Sequence, residues 1–104
     1  MPDKNDEIKL LILTVKPSME EIIMDWLIDQ PFKQDFTSLP VSGHGSQMSG
    51  LSTSEQVTGR KKQVQFRIMI PNSELQQLLI ELKLDFKNSG IHYWVMPLLE
   101  LGTI

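Results

Sequence analysis

The chain contains no cysteine, which excludes disulfides and thiolate metal sites. It also lacks a long hydrophobic run: the longest near-apolar stretch, Leu10 to Val15, falls far short of the roughly 20 residues a membrane helix needs. The first residues, Met1, Pro2, Asp3, Lys4, Asn5, Asp6 and Glu7, are polar and mostly acidic, unlike a leader for export. A cytoplasmic protein without membrane insertion is therefore expected. Basic charge is short as well. Ten Lys and Arg stand against thirteen Asp and Glu, a net charge of -3, opposite in sign to the field expected of a nucleic-acid binder. What remains is 104 residues, 40% hydrophobic and 22% charged, the size and mix of one globular domain over residues 1–104. Such a chain buries roughly 65% of its unfolded surface, enough for a core without staples.

Residues 8–16 are branched, apolar and stopped by Pro17, which predicts a strand. Ile8, Leu10 and Ile12 alternate with Leu11, Leu13 and Val15, so both faces are greasy and the strand should be central. Ser18 with Glu21 fits a capping box, opening a helix to about Asp29 whose buried face is Met19, Ile22, Ile23, Trp26 and Leu27. Phe36 to Val41 reads as a weaker strand, placed at an edge by Pro40. Residues 42–62, with Gly43, Gly45, Gly50 and Gly59, form the one long loop, a length that points to a functional or mobile segment. Gln63 to Ile70 alternates strictly, with Val64, Phe66, Ile68 and Ile70 on one face. Asn72 or Ser73 can cap a second helix with Leu75, Leu78, Leu79, Leu82 and Phe86 as its stripe, ended by Asn88, Ser89 and Gly90. Ile91 to Met96 is the last strand, followed by Pro97 and an apolar tail.

The order βαββαβ is the ferredoxin-like, split βαβ pattern of an α+β domain, with two helices on one face of a four-stranded antiparallel sheet. Two helices cover one face only. Leu11, Leu13, Val15 and Trp94 are too oily to face water, so identical chains are expected to cluster around them.

Chemistry-bearing residues are sparse. Ser46, Ser49, Ser52 and Ser54 lie in the loop without a base and orienting group nearby in sequence, and Glu20 with Glu21 is a helix start, so no catalytic site is expected. His44, between two glycines at the mouth of the loop, could bind an anion when protonated or a metal when neutral. Met48, four residues on, would add a thioether suited to a soft ion. Arg60, Lys61 and Lys62 are the one dense basic cluster, at the loop's far end. Backbone N–H groups at Gly43 and Gly45 together with Arg60 or Lys62 would suit capture of a phosphate-like anion. There is no phosphate-loop or dinucleotide fingerprint.

With this order and this loop, the chain resembles the PII-like signalling superfamily. Lys16–Pro17 looks like that family's Lys-Pro junction, residues 36–45 (FTSLPVSGHG) are similar to its second strand running into a Gly-x-Gly loop entry, and residues 56–60 (QVTGR) fit before the third strand. More narrowly, it is similar to a small bacterial family of PII-like proteins, some associated with heavy-metal efflux genes. The resemblance covers residues 8–96. It implies a nitrogen-regulatory-like, non-enzymatic homotrimer with its sheets turned inward, intersubunit clefts for a nucleotide or other small anion, and a T-loop that contacts a target protein, a membrane transporter being one candidate. Gly43, His44, Gly45 and Ser46 match the loop base that lines the cleft, and Arg60 and Lys62 its far side. The family's glycine-rich, lysine-bearing loop before the last strand is reduced here to residues 86–90, where Lys87 is the cation left to a ligand. The tail has no arginine, so ATP and 2-oxoglutarate sensing in the family's usual manner is not implied, and uridylylation is not expected of a loop without tyrosine.

The alternative is a CutA-like metal-binding or metal-tolerance protein, which shares the architecture and would use His44 and Met48. A third, enzymatic reading on a dimeric ferredoxin-like scaffold would need His92 or Tyr93 on the open sheet face.

Overall fold

The computed structural model describes residues 7–31, 35–44 and 60–104. Strand β1 (Ile8–Val15) leads through a 3₁₀ turn (Pro17–Met19) into helix α1 (Glu20–Ile28); β2 (Phe36–Gly43), β3 (Lys61–Pro71), helix α2 (Asn72–Asp85) and β4 (His92–Pro97) follow. The strands form one antiparallel sheet in the order β2-β3-β1-β4. This is the expected ferredoxin-like βαββαβ architecture, with the proline-bearing β2 at an edge and the doubly apolar β1 in the interior.

The core lies between the sheet and the helices. Leu11, Leu13 and Val15 of β1 and Val64, Phe66, Ile68 and Ile70 of β3 meet Ile23 and Leu27 of α1 and Leu75, Leu78 and Leu82 of α2. Each fully buried aliphatic side chain contributes about 1.5–3 kcal/mol. Phe36 on β2 packs tilted against Phe66, ring centroids 6.1 Å apart, and Trp26 meets Phe86 edge to face at 5.6 Å. The Trp26 indole N–H also donates to Asp85 Oδ2 at 2.8 Å, tying the two helices together.

Several expectations are corrected. Leu11, Leu13 and Val15 are not an intersubunit surface, because the chain's own helices cover them; on the open face stand Leu10 and Ile12, with Trp94 and Met96 opposite them on β4. The Ser18–Glu21 capping box does not form. Pro17 starts a 3₁₀ turn in which the Met19 N–H donates to Lys16 O at 2.9 Å, so α1 begins one residue later, with Met19 in place of Ser18 at its N-cap and no side-chain cap. Pro71, not Asn72 or Ser73, is the N-cap of α2; the Asn72 N–H is taken by Glu7 O at 2.9 Å. Ile22 is 56% exposed: at 100° per residue it stands a quarter-turn or more from Ile23, around which the buried stripe is centred. Finally, Ser42, Gly43, Lys61 and Lys62 belong to strands, not to the loop, since β2 and β3 remain paired to their ends at Gly43↔Lys61.

Candidate functional site

The ribbon of β2 and β3 carries the loop base. Ser42 pairs with Lys62 and Gly43 with Lys61, so His44 and Arg60, the next residues out on each strand, emerge side by side and exposed. The antiparallel ladder thus brings four of the residues singled out from the sequence, Gly43, His44, Arg60 and Lys62, to one corner of the sheet. Gly45, Ser46 and Met48 lie outside the described residues. Lys87 follows the end of α2 and leads toward β4, at the opposite edge of the sheet from β2, roughly 14 Å away at three strand spacings. Within one chain it does not join the other four.

Strand alternation settles which way these groups face. Lys62 and Ser42 share the parity of Val64 and Phe66 and therefore lie on the helix side. There they line a cleft of about 570 Å³ between the β2–β3 ribbon and the start of the first helix, together with Pro17, Glu20, Pro40 and Val64. The volume falls in the range of roughly 300–1,000 Å³ common to small-molecule sites. Its lining carries one cation, Lys62, and one carboxylate, Glu20. Glu20 and Pro17 were not picked out as site residues, because only the packing of the 3₁₀ turn against the ribbon reveals their place; Pro17 was visible as half of the Lys-Pro junction.

On the open face, Gly43 lies beside Gln63: a Cβ there would stand 2.5 Å from Gln63 Oε1, the end of a flexible side chain, and 3.6 Å from Lys61 O. The close approach is one the Gln63 amide can relieve by swinging aside, so this glycine leaves space without being sterically indispensable.

Among the described residues, no group of three or more His, Asp and Glu side chains is placed to hold a metal ion, and no helix is long and apolar enough to cross a membrane. His92 is exposed on the open face opposite Thr14, whereas Tyr93, opposite Leu13, belongs to the helix side. Of these two residues, His92 alone stands on the open sheet.

The βαββαβ sheet with a basic loop base at its β2–β3 corner defines a PII-like fold. The chain belongs to the family described as "protein of unknown function (DUF3240)", which matches residues 6–104. It is similar to the crystal structure of a DUF3240 family protein from Shewanella baltica, with 26% identity over 94% of this chain and 97% of that one and a TM-score of 0.74. CPII from Thiomonas intermedia, a nitrogen regulatory PII-like protein bound to ADP, AMP and bicarbonate, shares the fold at 18% identity, covering 93% of this chain and 96% of its own, with a TM-score of 0.67. So does the GlnK–ATP complex of B. subtilis, at 13% identity, 89% and 85% coverage and a TM-score of 0.53. Comparison with curated proteins finds no match.

Proposed function

We propose that this single-domain protein is a non-enzymatic regulator of the PII-like kind, a homotrimer that binds a nucleotide or other small anion at the loop base and signals to a target protein through the loop between β2 and β3. The observation that carries this reading is the corner itself: Lys62 and Ser42 face a cleft of about 570 Å³, with Arg60 and His44 emerging beside it from paired strand ends. Cations on backbone held in register by a ladder present an anion site at little ordering cost. The similarity to CPII, which carries ADP, AMP and bicarbonate, supports a nucleotide or small oxyanion as the ligand class.

Trimerisation draws support from the open face of the sheet, where Leu10, Ile12, Trp94, Met96 and Met69 form an apolar field without helices of their own chain above it. Leu99 and Leu101 are further exposed apolar side chains, in the segment after β4. A second and third copy would bury these side chains and, by bringing the β4 edge of one copy toward the β2 edge of another, place Lys87 and the loop base in a shared cleft.

The test is thermal unfolding with ATP, ADP and AMP. A ligand at a hundred times its Kd contributes about 2.7 kcal/mol and should raise the midpoint of a domain this size by about 10 °C. Arg60→Ala and Lys62→Ala should each remove most of that rise. Unfolding midpoints unmoved by all three nucleotides and by bicarbonate would refute the ligand class.

A further inference from the structure

Across the sheet from the loop base, at the other edge, lies a second and smaller cavity with different chemistry. It opens on the helix side of β4, where α2 stops short of covering the edge strand. Leu13, almost wholly buried, lies at its base, Leu82 of α2 and Phe86 just past its end line one side, and Ile91 and Tyr93 the other. The turn after α2, with Asn88 at φ 62° and Gly90 at φ 81°, closes the end. The volume is about 130 Å³, close to the roughly 150 Å³ that admits benzene in an engineered apolar cavity.

One charge stands at this slot. The Lys83 ammonium rests over the Tyr93 ring, 5.3 Å from its centroid, and among the described residues no carboxylate pairs with it. Glu81 and Asp85, each two residues away, are engaged by the Gln77 amide and the Trp26 indole respectively. Tyr93 shares the core-facing parity of Leu13 yet remains 44% exposed, so the ammonium and the ring together form an uncovered mouth over an apolar floor. The C-terminal carbonyls of α2 bring partial negative charge to the same end, and Lys83 in the last helical turn is what offsets it.

We propose that this slot is a binding site for a small monocarboxylate whose apolar body is about the size of a benzene ring or a branched aliphatic chain. The body seats on Leu13, Leu82 and Ile91, and the carboxylate stays at the mouth, drawing the Lys83 ammonium from the Tyr93 ring into a charge-assisted hydrogen bond. A nucleotide is too large for the space, a cation would meet Lys83, and a neutral hydrocarbon would leave the ammonium where it is. Within one chain the slot is separate from the loop base; in the proposed trimer the turn after α2 also borders the shared cleft, and the Lys83-dependent preference for a carboxylate is the readout that tells the two sites apart.

Benzoate and 3-methylbutanoate, with benzamide as the uncharged isostere, are titrated against the full chain, following the backbone amides of Ile91 and Tyr93 by NMR. Saturable shifts with a benzoate Kd on the order of 1 mM are expected, with benzamide about fivefold weaker. Lys83→Met should abolish the preference for benzoate and Lys83→Arg should keep it. Both variants change an exposed side chain, and an unchanged unfolding midpoint verifies that they fold. The proposal is overturned if the shifts do not saturate, if benzamide binds as well as benzoate, or if Lys83→Met leaves the preference intact.

Discussion

The two faces of β1 are nearly equal in the oil they offer and opposite in what becomes of it. On the helix side, Leu11, Leu13 and Val15 interlock with Phe66, Ile68 and the inner stripes of both helices, and the chain by itself removes them from water. On the open side, the register sets Arg67, Ile12 and Trp94 in one row and Met69, Leu10 and Met96 in the next. Ile12 is shielded there by its two cross-strand neighbours, while Trp94, Met96 and Met69 remain about two-fifths exposed. Hydrophobicity along a strand therefore says that a face will be covered; it does not say by what. One face is completed by folding and the other stays partly exposed in a single chain, so under the proposed trimer folding and assembly are separable by mutation.

The largest effect is expected from Leu13→Ala, which opens a cavity beneath the helices and should cost about 2–5 kcal/mol in urea unfolding. Leu10→Ala, three residues back on the same strand but on the open face and only half-buried, should cost about 1 kcal/mol or less in a monomer. Equal losses at the two positions would break the distinction between the faces. Next in size, Trp94→Glu places a carboxylate in the middle of the open apolar field. Light scattering should then give a mass near the 11.9 kDa of one chain, where the proposed trimer would give three times that, while circular dichroism and the unfolding of the monomer change little. An unmodified chain that already scatters as a monomer at micromolar concentration would remove the trimer.

The element order was legible because short branched apolar runs and helical stripes are distinct along the chain, and β3 alternates cleanly between Val64, Phe66, Ile68, Ile70 and Gln63, Gln65, Arg67. Which face of β1 the helices take was not written in β1, whose two sets of aliphatics are interchangeable. The answer lies in the partner: only the parity of β3 that carries Phe66 can face a core, and the pairing Leu13↔Phe66 transfers that parity to β1. The helix starts were misjudged because capping residues compete with proline, and at Pro17 the ring's fixed φ favoured a tight 3₁₀ turn ahead of any hydroxyl cap. Strand ends ran further than composition indicates, since the ladder carries Gly43 and Lys61 along although neither favours a strand alone. At the candidate site, the charge cluster and the glycine at the loop's two ends could be read from the chain. The contributions of Glu20 and Pro17 could not, because they depend on how the first turn of helix packs on the ribbon.

The smallest effect sharpens the comparison most, because its sign is informative. Thr14 is 6% exposed, and its Oγ1 is buried without a hydrogen-bond partner among the described residues, on the open face between Gln65 of β3 and His92 of β4. A buried hydroxyl left unpaired is destabilising, and replacing it by a methyl of the same shape recovers that loss. Thr14→Val should therefore stabilise the monomer, as obtained in the Trp94→Glu background, by about 1 kcal/mol in urea unfolding. In the assembled protein the same change should gain less, or lose, if a neighbouring copy supplies the missing partner. A double-mutant cycle between Thr14→Val and Trp94→Glu reads that difference directly as a coupling between hydroxyl and assembly. A coupling of zero would mean that the row of Gln65, Thr14 and His92 stays outside the interface, confining the contact between copies to the apolar rows of Ile12, Trp94, Leu10 and Met96.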